Sequence, residues 1–122
     1  MARTRHLPLY AATYGFAKET YRIKIKLPKL LKYDLGQEAF TSAIKMLKFV
    51  VMANVAREKA PYLTRLLIEI DVQWALFRLL FDLRGISEGE FKIISERLDD
   101  IGKQVQAWLT WQQQQRSTKK SP

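Results

Sequence analysis

Apolar residues with helical spacing are the feature that most limits the folds open to this chain of 122 residues. After Ser87 they recur at steps of three and four residues, which places them on one face of an α-helix. This stripe consists of Phe91, Ile94, Leu98, Ile101, Val105 and Trp108. Ser87 and Glu90 have the spacing of a capping box, so this helix is predicted to begin at residue 88 and to run to about residue 115.

Proline and glycine divide the rest of the chain into three further helical segments. Pro8 suits the first turn of one helix, Pro28 should end it, and Pro61 can occupy the first turn of another, which ends near Gly85. The predicted helices span about residues 9–27, 37–59 and 61–84. The joint at Pro61 is too short for anything but an antiparallel hairpin.

The expected fold is therefore all-α, an antiparallel four-helix bundle. The chain length suits one domain, which we expect to cover residues 1–115. Residues 116–122 are expected to form a flexible basic tail.

The third helix carries two apolar stripes. The first contains Leu63, Leu67, Ile70, Trp74, Phe77 and Phe81, and the second contains Ile68, Val72, Leu76, Leu79 and Leu83. A four-helix bundle offers each helix one inward face, so the second stripe is predicted to be an interface in a homo-oligomer. The alternative is that the helices splay and the third helix is central, so that one chain buries both stripes.

Two charged residues of the third helix, Asp71 and Arg78, lie seven positions apart at the edge of the first apolar stripe. A charge amid apolar surface is costly unless it is paired, so they are predicted to be buried partners at a helix or subunit contact. We include both in the predicted oligomer interface. Arg78 and Asp82 also have the spacing of an ordinary ion pair within a helix.

The net charge of +9 is concentrated toward the N-terminus, where residues 1–48 carry ten basic and three acidic side chains. On the first helix a basic stripe lies beside Tyr10, Tyr14, Ala17, Tyr21 and Ile25, which are predicted to form the core face. The predicted basic binding surface consists of Lys18, Arg22, Lys24, Lys26, Lys29, Lys32, Lys45 and Lys48. Such a surface favours binding to nucleic acid or to an acidic protein, and the alternative is a solvated face.

Residues for catalysis are scarce. The sequence has no cysteine, its one histidine is His6, and the adjacent carboxylates Asp99 and Asp100 point about 100° apart on a helix. We expect no enzymatic activity, metal site, cofactor or small-molecule substrate. No run of about 18 apolar residues and no signal-like segment occurs, so we expect no membrane span and a cytoplasmic location.

Three segments, LPKLLKYDLG, IEIDVQWALFRLLFDLRGIS and DDIGKQVQAWL, occur in this order. Together they resemble the accessory variability determinant (Avd) proteins of diversity-generating retroelements, over roughly residues 10–109. The matching positions are Lys26, Pro28, Lys29, Lys32, Tyr33, Leu35, Gly36, Asp71, Arg78, Gly102 and Trp108. The four-helix proteins encoded in intervening sequences of ribosomal RNA genes share much of this pattern, and the resemblance does not separate the two groups.

The resemblance to Avd proteins implies a homopentameric barrel that binds the retroelement reverse transcriptase and contacts its template RNA or cDNA. Such a protein is a non-enzymatic subunit in mutagenic retrohoming, in the cytoplasm of a bacterial, archaeal or phage-infected cell. Two alternatives stay open. One is a protein of the ribosomal intervening-sequence type, and the other is a helical adaptor that binds acidic proteins.

Overall fold

The computed structural model describes residues 4–120, without the side chains of residue 5 and residues 117–120. Its four long helices are α1 (Pro8–Lys26), α2 (Gln37–Val55), α3 (Ala60–Asp82) and α4 (Glu88–Lys120). A short helical turn at Thr4–His6 precedes α1, and the turns Lys29–Leu31 and Lys32–Gly36 connect α1 to α2. No strand occurs in this part of the chain. The prediction of an all-α fold with four helices is confirmed.

The four helices enclose a single core, because each helix packs against the next and α4 also packs against α1. Phe16 of α1 and Phe77 of α3 meet edge to face in the middle of this core, with ring centroids 6.1 Å apart. The other large side chains that are fully buried are Met46, Val50, Leu63, Leu66, Leu80, Ile94, Leu98, Ile101 and Val105. The largest fully buried polar side chain is Gln73, whose Nε2 donates a hydrogen bond to the carbonyl oxygen of Ala39 at 2.8 Å.

The helix starts follow the signals in the sequence. Pro8 and Pro61 both lie in the first turn of a helix. At the start of α4 the Glu90 amide donates to Ser87 Oγ at 3.1 Å, and the Ser87 amide donates to Glu90 Oε1 at 2.9 Å. The capping box is therefore formed, and it satisfies two amides that have no partner within the helix.

The end of α4 lies beyond its predicted position. The helix runs to Lys120 rather than to residue 115, so residues 116–120 of the predicted flexible tail are helical. Neither proline nor glycine occurs between Gly102 and Pro122, and glutamine and lysine are good helix formers, so no residue stops the helix earlier. Residues 121 and 122 lie outside the described part of the chain.

The end of α2 lies before its predicted position, at Val55 rather than at residue 59. This end is capped by Lys59, whose ammonium group donates to the carbonyl oxygens of Ala53, Asn54 and Ala56 at 2.9, 3.0 and 2.9 Å. Carbonyls at a helix C-terminus have no partner within the helix, and a cation there also interacts favourably with the helix dipole. The same ammonium group lies 5.7 Å from the ring centroid of Trp108 on α4.

Replacing Lys59 tests this cap. Lys59→Met keeps most of the apolar stem and removes the ammonium group, so three carbonyls lose a charged donor. We expect the free energy of unfolding in urea to fall by about 1–2 kcal/mol, because the side chain is only half-buried and water can replace part of the interaction. The exposed Arg57 in the same connection provides the control, since Arg57→Met should change stability by less than about 0.5 kcal/mol. Equal losses in the two variants would contradict this role of Lys59.

Candidate functional site

The predicted basic residues lie on the surface of α1, α2 and the turn between them. Lys18, Arg22, Lys26, Lys29, Lys45 and Lys48 are exposed, and Lys24 and Lys32 are half-buried. Lys24 has partners within the chain, since its Nζ donates to Gln37 Oε1 at 2.8 Å and lies 5.8 Å from the ring centroid of Phe40. Arg22 forms an exposed ion pair with Glu19 at 3.0 Å, a contact that contributes little to stability.

The predicted core face of α1 is wrong. Tyr14 and Tyr21 are each 49% exposed, Ile25 is half exposed, and only Ala17 of that stripe is buried. The buried residues of α1 are Leu9, Thr13, Phe16, Ala17, Thr20 and Ile23. Two of them are threonines whose hydroxyls donate to the carbonyls of Leu9 and Phe16, at 2.7 and 2.8 Å. This local bonding lets a polar residue occupy the core, so the true stripe looks less apolar in the sequence.

The displaced aromatic residues line a groove between α1 and α2, which we call the α1–α2 groove. One part of about 460 Å³ is lined by Tyr14, Ala17, Lys18, Tyr21, Arg22, Phe40, Ile44 and Leu47. An adjoining part of about 320 Å³ is lined by Tyr10, Ile44, Leu47, Lys48, Val51 and Met52. The rings of Tyr10 and Tyr14 are stacked 5.9 Å apart, and those of Tyr21 and Phe40 are 5.3 Å apart. The groove is therefore largely apolar, with cations at its edges.

The second apolar stripe of α3 is exposed. Four of its residues are between 40% and 58% exposed. We call them the α3 outer stripe: Ile68, Val72, Leu79 and Leu83. Leu76 is half-buried and packs against the core. The first stripe does face inward, and it is completed by Leu66, Gln73 and Leu80, which the sequence pattern had not included. The alternative in which one chain buries both stripes is wrong.

Asp71 and Arg78 are not buried partners within the chain. Both are exposed, and Arg78 Nε donates instead to the two carboxylate oxygens of Asp82 at 3.1 and 3.2 Å. A separation of seven residues places side chains two turns apart, about 10 Å along the helix, which is too far for direct pairing. Asp71 borders a depression between α3 and α4, where Asp99 and Lys103 are also found. Their part in a subunit contact stays a prediction.

The turn that joins α1 to α2 combines cations with exposed apolar side chains. We call residues 26–36 the basic turn. It contains Lys26, Lys29 and Lys32, and its Leu30 and Tyr33 are 85% and 68% exposed. The sequence pattern marked the lysines and Tyr33 but did not distinguish Leu30, because only packing shows which leucines of LPKLLKYDLG face outward.

The sequence predicts neither a metal site nor a membrane-spanning helix. Among the described residues, no three His, Cys, Asp or Glu side chains are grouped so that they would hold a metal ion. The helices of this part of the chain are also not apolar over a length sufficient to cross a membrane. His6 is exposed in the short turn that precedes α1.

No protein-family model and no curated protein matches this chain. Four surface features of the bundle could contact a partner: the basic residues of α1 and α2, the α1–α2 groove, the α3 outer stripe and the basic turn.

Proposed function

We propose that this protein is a non-catalytic accessory subunit of a diversity-generating retroelement. It binds the reverse transcriptase and its template RNA or cDNA through a basic surface and supports mutagenic retrohoming. The observation that carries the proposal is the exposed α3 outer stripe on a bundle whose first two helices present an excess of cations. Exposed apolar and charged surfaces of this kind are typical of proteins that act through contacts. The resemblance of LPKLLKYDLG and the two later segments to Avd proteins names the partner.

The proposed bundle is antiparallel, and contacts between helix ends support this. Lys24 near the end of α1 bonds to Gln37 at the start of α2. Phe81 near the end of α3 stacks on Phe91 near the start of α4, with ring centroids 5.0 Å apart. Arg116 near the end of α4 lies 3.8 Å from Glu58 in the connection before α3. Each contact is the one expected when successive helices run in opposite directions.

The protein is also proposed to form a ring, a homopentamer as in Avd proteins. The α3 outer stripe is a ridge on one helix, whereas the α1–α2 groove lies between two others. If the ridge of one copy occupies the groove of the next, the interface joins two different surfaces, and such contacts generate rings or filaments. A two-fold dimer through the stripe alone would leave the groove uncovered. The number five comes from the resemblance.

Light scattering tests the assembly, with an expected mass near five times the 14.3 kDa of the chain. Leu79→Glu in the stripe and Tyr21→Glu in the groove should each give monomers that keep the helical circular dichroism of the parent, because a charge is buried at the contact. Ile93→Glu provides the control, since Ile93 is exposed on α4 outside both surfaces and its variant should keep the parental mass.

Mixing the two variants sharpens this test. A Leu79→Glu chain keeps an intact groove and a Tyr21→Glu chain keeps an intact stripe, so the mixture should form one contact and stop at a heterodimer. A contact between two identical stripes would instead let Tyr21→Glu assemble by itself, which would contradict the ring. A monomeric parent chain would contradict any oligomer.

Binding of structured RNA at several salt concentrations tests the basic surface. Each phosphate contact should add about 0.7–0.9 to the slope of log affinity against log salt. Reversing Lys26, Lys29 and Lys45 to Glu, which are exposed and do not line the α1–α2 groove, should lower both the slope and the affinity, the latter by at least about tenfold. The matched control reverses Arg57, Lys92 and Lys103, which are exposed outside the surface, so the net charge changes equally.

The same preparations decide between the proposed function and its alternatives. The parent chain should capture the reverse transcriptase encoded beside its gene. Retention of RNA without capture of a polymerase, from a gene within a ribosomal RNA operon, would favour the intervening-sequence type of protein. A salt slope near zero together with binding to acidic protein would favour the adaptor and would overturn the nucleic-acid role.

A further inference from the structure

The basic turn exposes apolar side chains that the bundle does not need. Leu30 and Tyr33 are the most exposed large apolar side chains of the described residues, at 85% and 68%. Their neighbours behave differently, since Leu27 is buried and Leu31 packs against the core. The turn therefore divides into an inward side that holds it on the bundle and an outward side that contributes nothing to the core.

Close packing holds this turn in place. A Cβ atom on Gly36 would come within 2.9 Å of Leu27 Cδ1, and one on Gly85 would come within 2.8 Å of Leu31 Cδ1. The Asp34 carboxylate accepts a hydrogen bond from the Leu35 amide, and Lys24 bonds to Gln37 just beyond the turn. Lys32–Gly36 forms a π-helical turn, a conformation that is rare and is often found at functional sites. A turn fixed in this way loses little conformational freedom when a ligand binds.

The charges of the turn are almost all positive. Lys26 and Lys29 are exposed, Lys32 is half-buried, and Asp34, whose carboxylate is engaged with a backbone amide, is the one acidic residue between residues 26 and 36. Tyr33 lies in sequence directly after Lys32. A ligand that matches this turn has negative charges spaced along a chain and flat apolar faces between them.

Unpaired nucleotides have this chemistry. Every base has a π-face that stacks on an aromatic ring, and the flanking phosphates attract lysines. A duplex is a poorer match because its base faces are stacked on one another, and an acidic peptide offers charge without flat rings. We propose that the basic turn binds single-stranded RNA or DNA, with a base stacked on Tyr33 and the flanking phosphates contacting Lys26, Lys29 and Lys32. This inference rests on the proposed nucleic-acid function and specifies the form of nucleic acid.

Fluorescence anisotropy with labelled ligands of about 12 nucleotides tests the proposal. The ligands are an oligouridine, an abasic sugar–phosphate chain of the same length, a duplex of that length and an oligoglutamate. The parent chain should bind the oligouridine about tenfold more tightly than the abasic chain, which corresponds to about 1.4 kcal/mol. Tyr33→Ala should abolish this preference and leave binding of the abasic chain unchanged. Tyr33→Phe should keep it because the ring remains.

Each other result has a defined meaning. Equal binding of oligouridine and abasic chain by the parent, or a preference that survives Tyr33→Ala, would overturn stacking at the basic turn while the phosphate-binding function stands. Oligoglutamate or duplex bound as tightly as oligouridine would overturn the single-strand assignment. Failure to bind any of the three nucleic-acid ligands would overturn the proposed function and this inference together. Circular dichroism checks the folding of the variants, which should match the parent because Tyr33 lies on the surface.

Discussion

Burial of one face per helix is the constraint on which the organisation of this molecule depends. The core around Phe16 and Phe77 accepts one stripe from each of the four helices. The α3 outer stripe and the α1 residues Tyr14 and Tyr21 lie outside this core and are exposed. The apolar surface that remains is arranged as a ridge and a groove on different helices. Apolar surface therefore stays exposed after the core of the bundle is filled.

Local polar interactions stabilise the end of α2 and the start of α4. Lys59 bonds to three carbonyls at the end of α2 and lies over Trp108 of α4, so one side chain links the end of one helix to another. The capping box of Ser87 and Glu90 begins α4 in the same local way. These contacts lie in the connections before α3 and before α4, whereas the basic turn is held by the packing of Leu27 and Leu31 against Gly36 and Gly85.

The positive charges of α1 and α2 are not explained by stability. Arg22 pairs with Glu19 on the surface, where such a pair contributes little, and most of the other cations of this region are exposed. An excess of like charge slightly destabilises a compact chain and attracts anionic partners. The proposed roles assign subunits to the apolar ridge and groove, and nucleic acid to the lysines and the basic turn. The two surfaces meet at Lys18, Arg22 and Lys48, which line the groove.

The sequence by itself determined the number of helices and most of their starts. These properties are local, because helical periodicity, Pro8, Pro61 and the capping box act within a few residues. The sequence also predicted the ion pair between Arg78 and Asp82, whose spacing of four residues places them about one helical turn apart.

Only the tertiary structure decided which stripe of α1 faces inward and that Asp71 and Arg78 are both exposed. Two stripes lie side by side on α1, and both can pack against apolar neighbours. One contains Thr13 and Phe16, and the other contains Tyr14 and Tyr21. The choice between them depends on what α2 and α4 present, because the close-packed core accepts the side chains that fit around Phe77. Tyrosine is stable at a wet surface as well as in a core, so its pattern in the sequence does not settle its position.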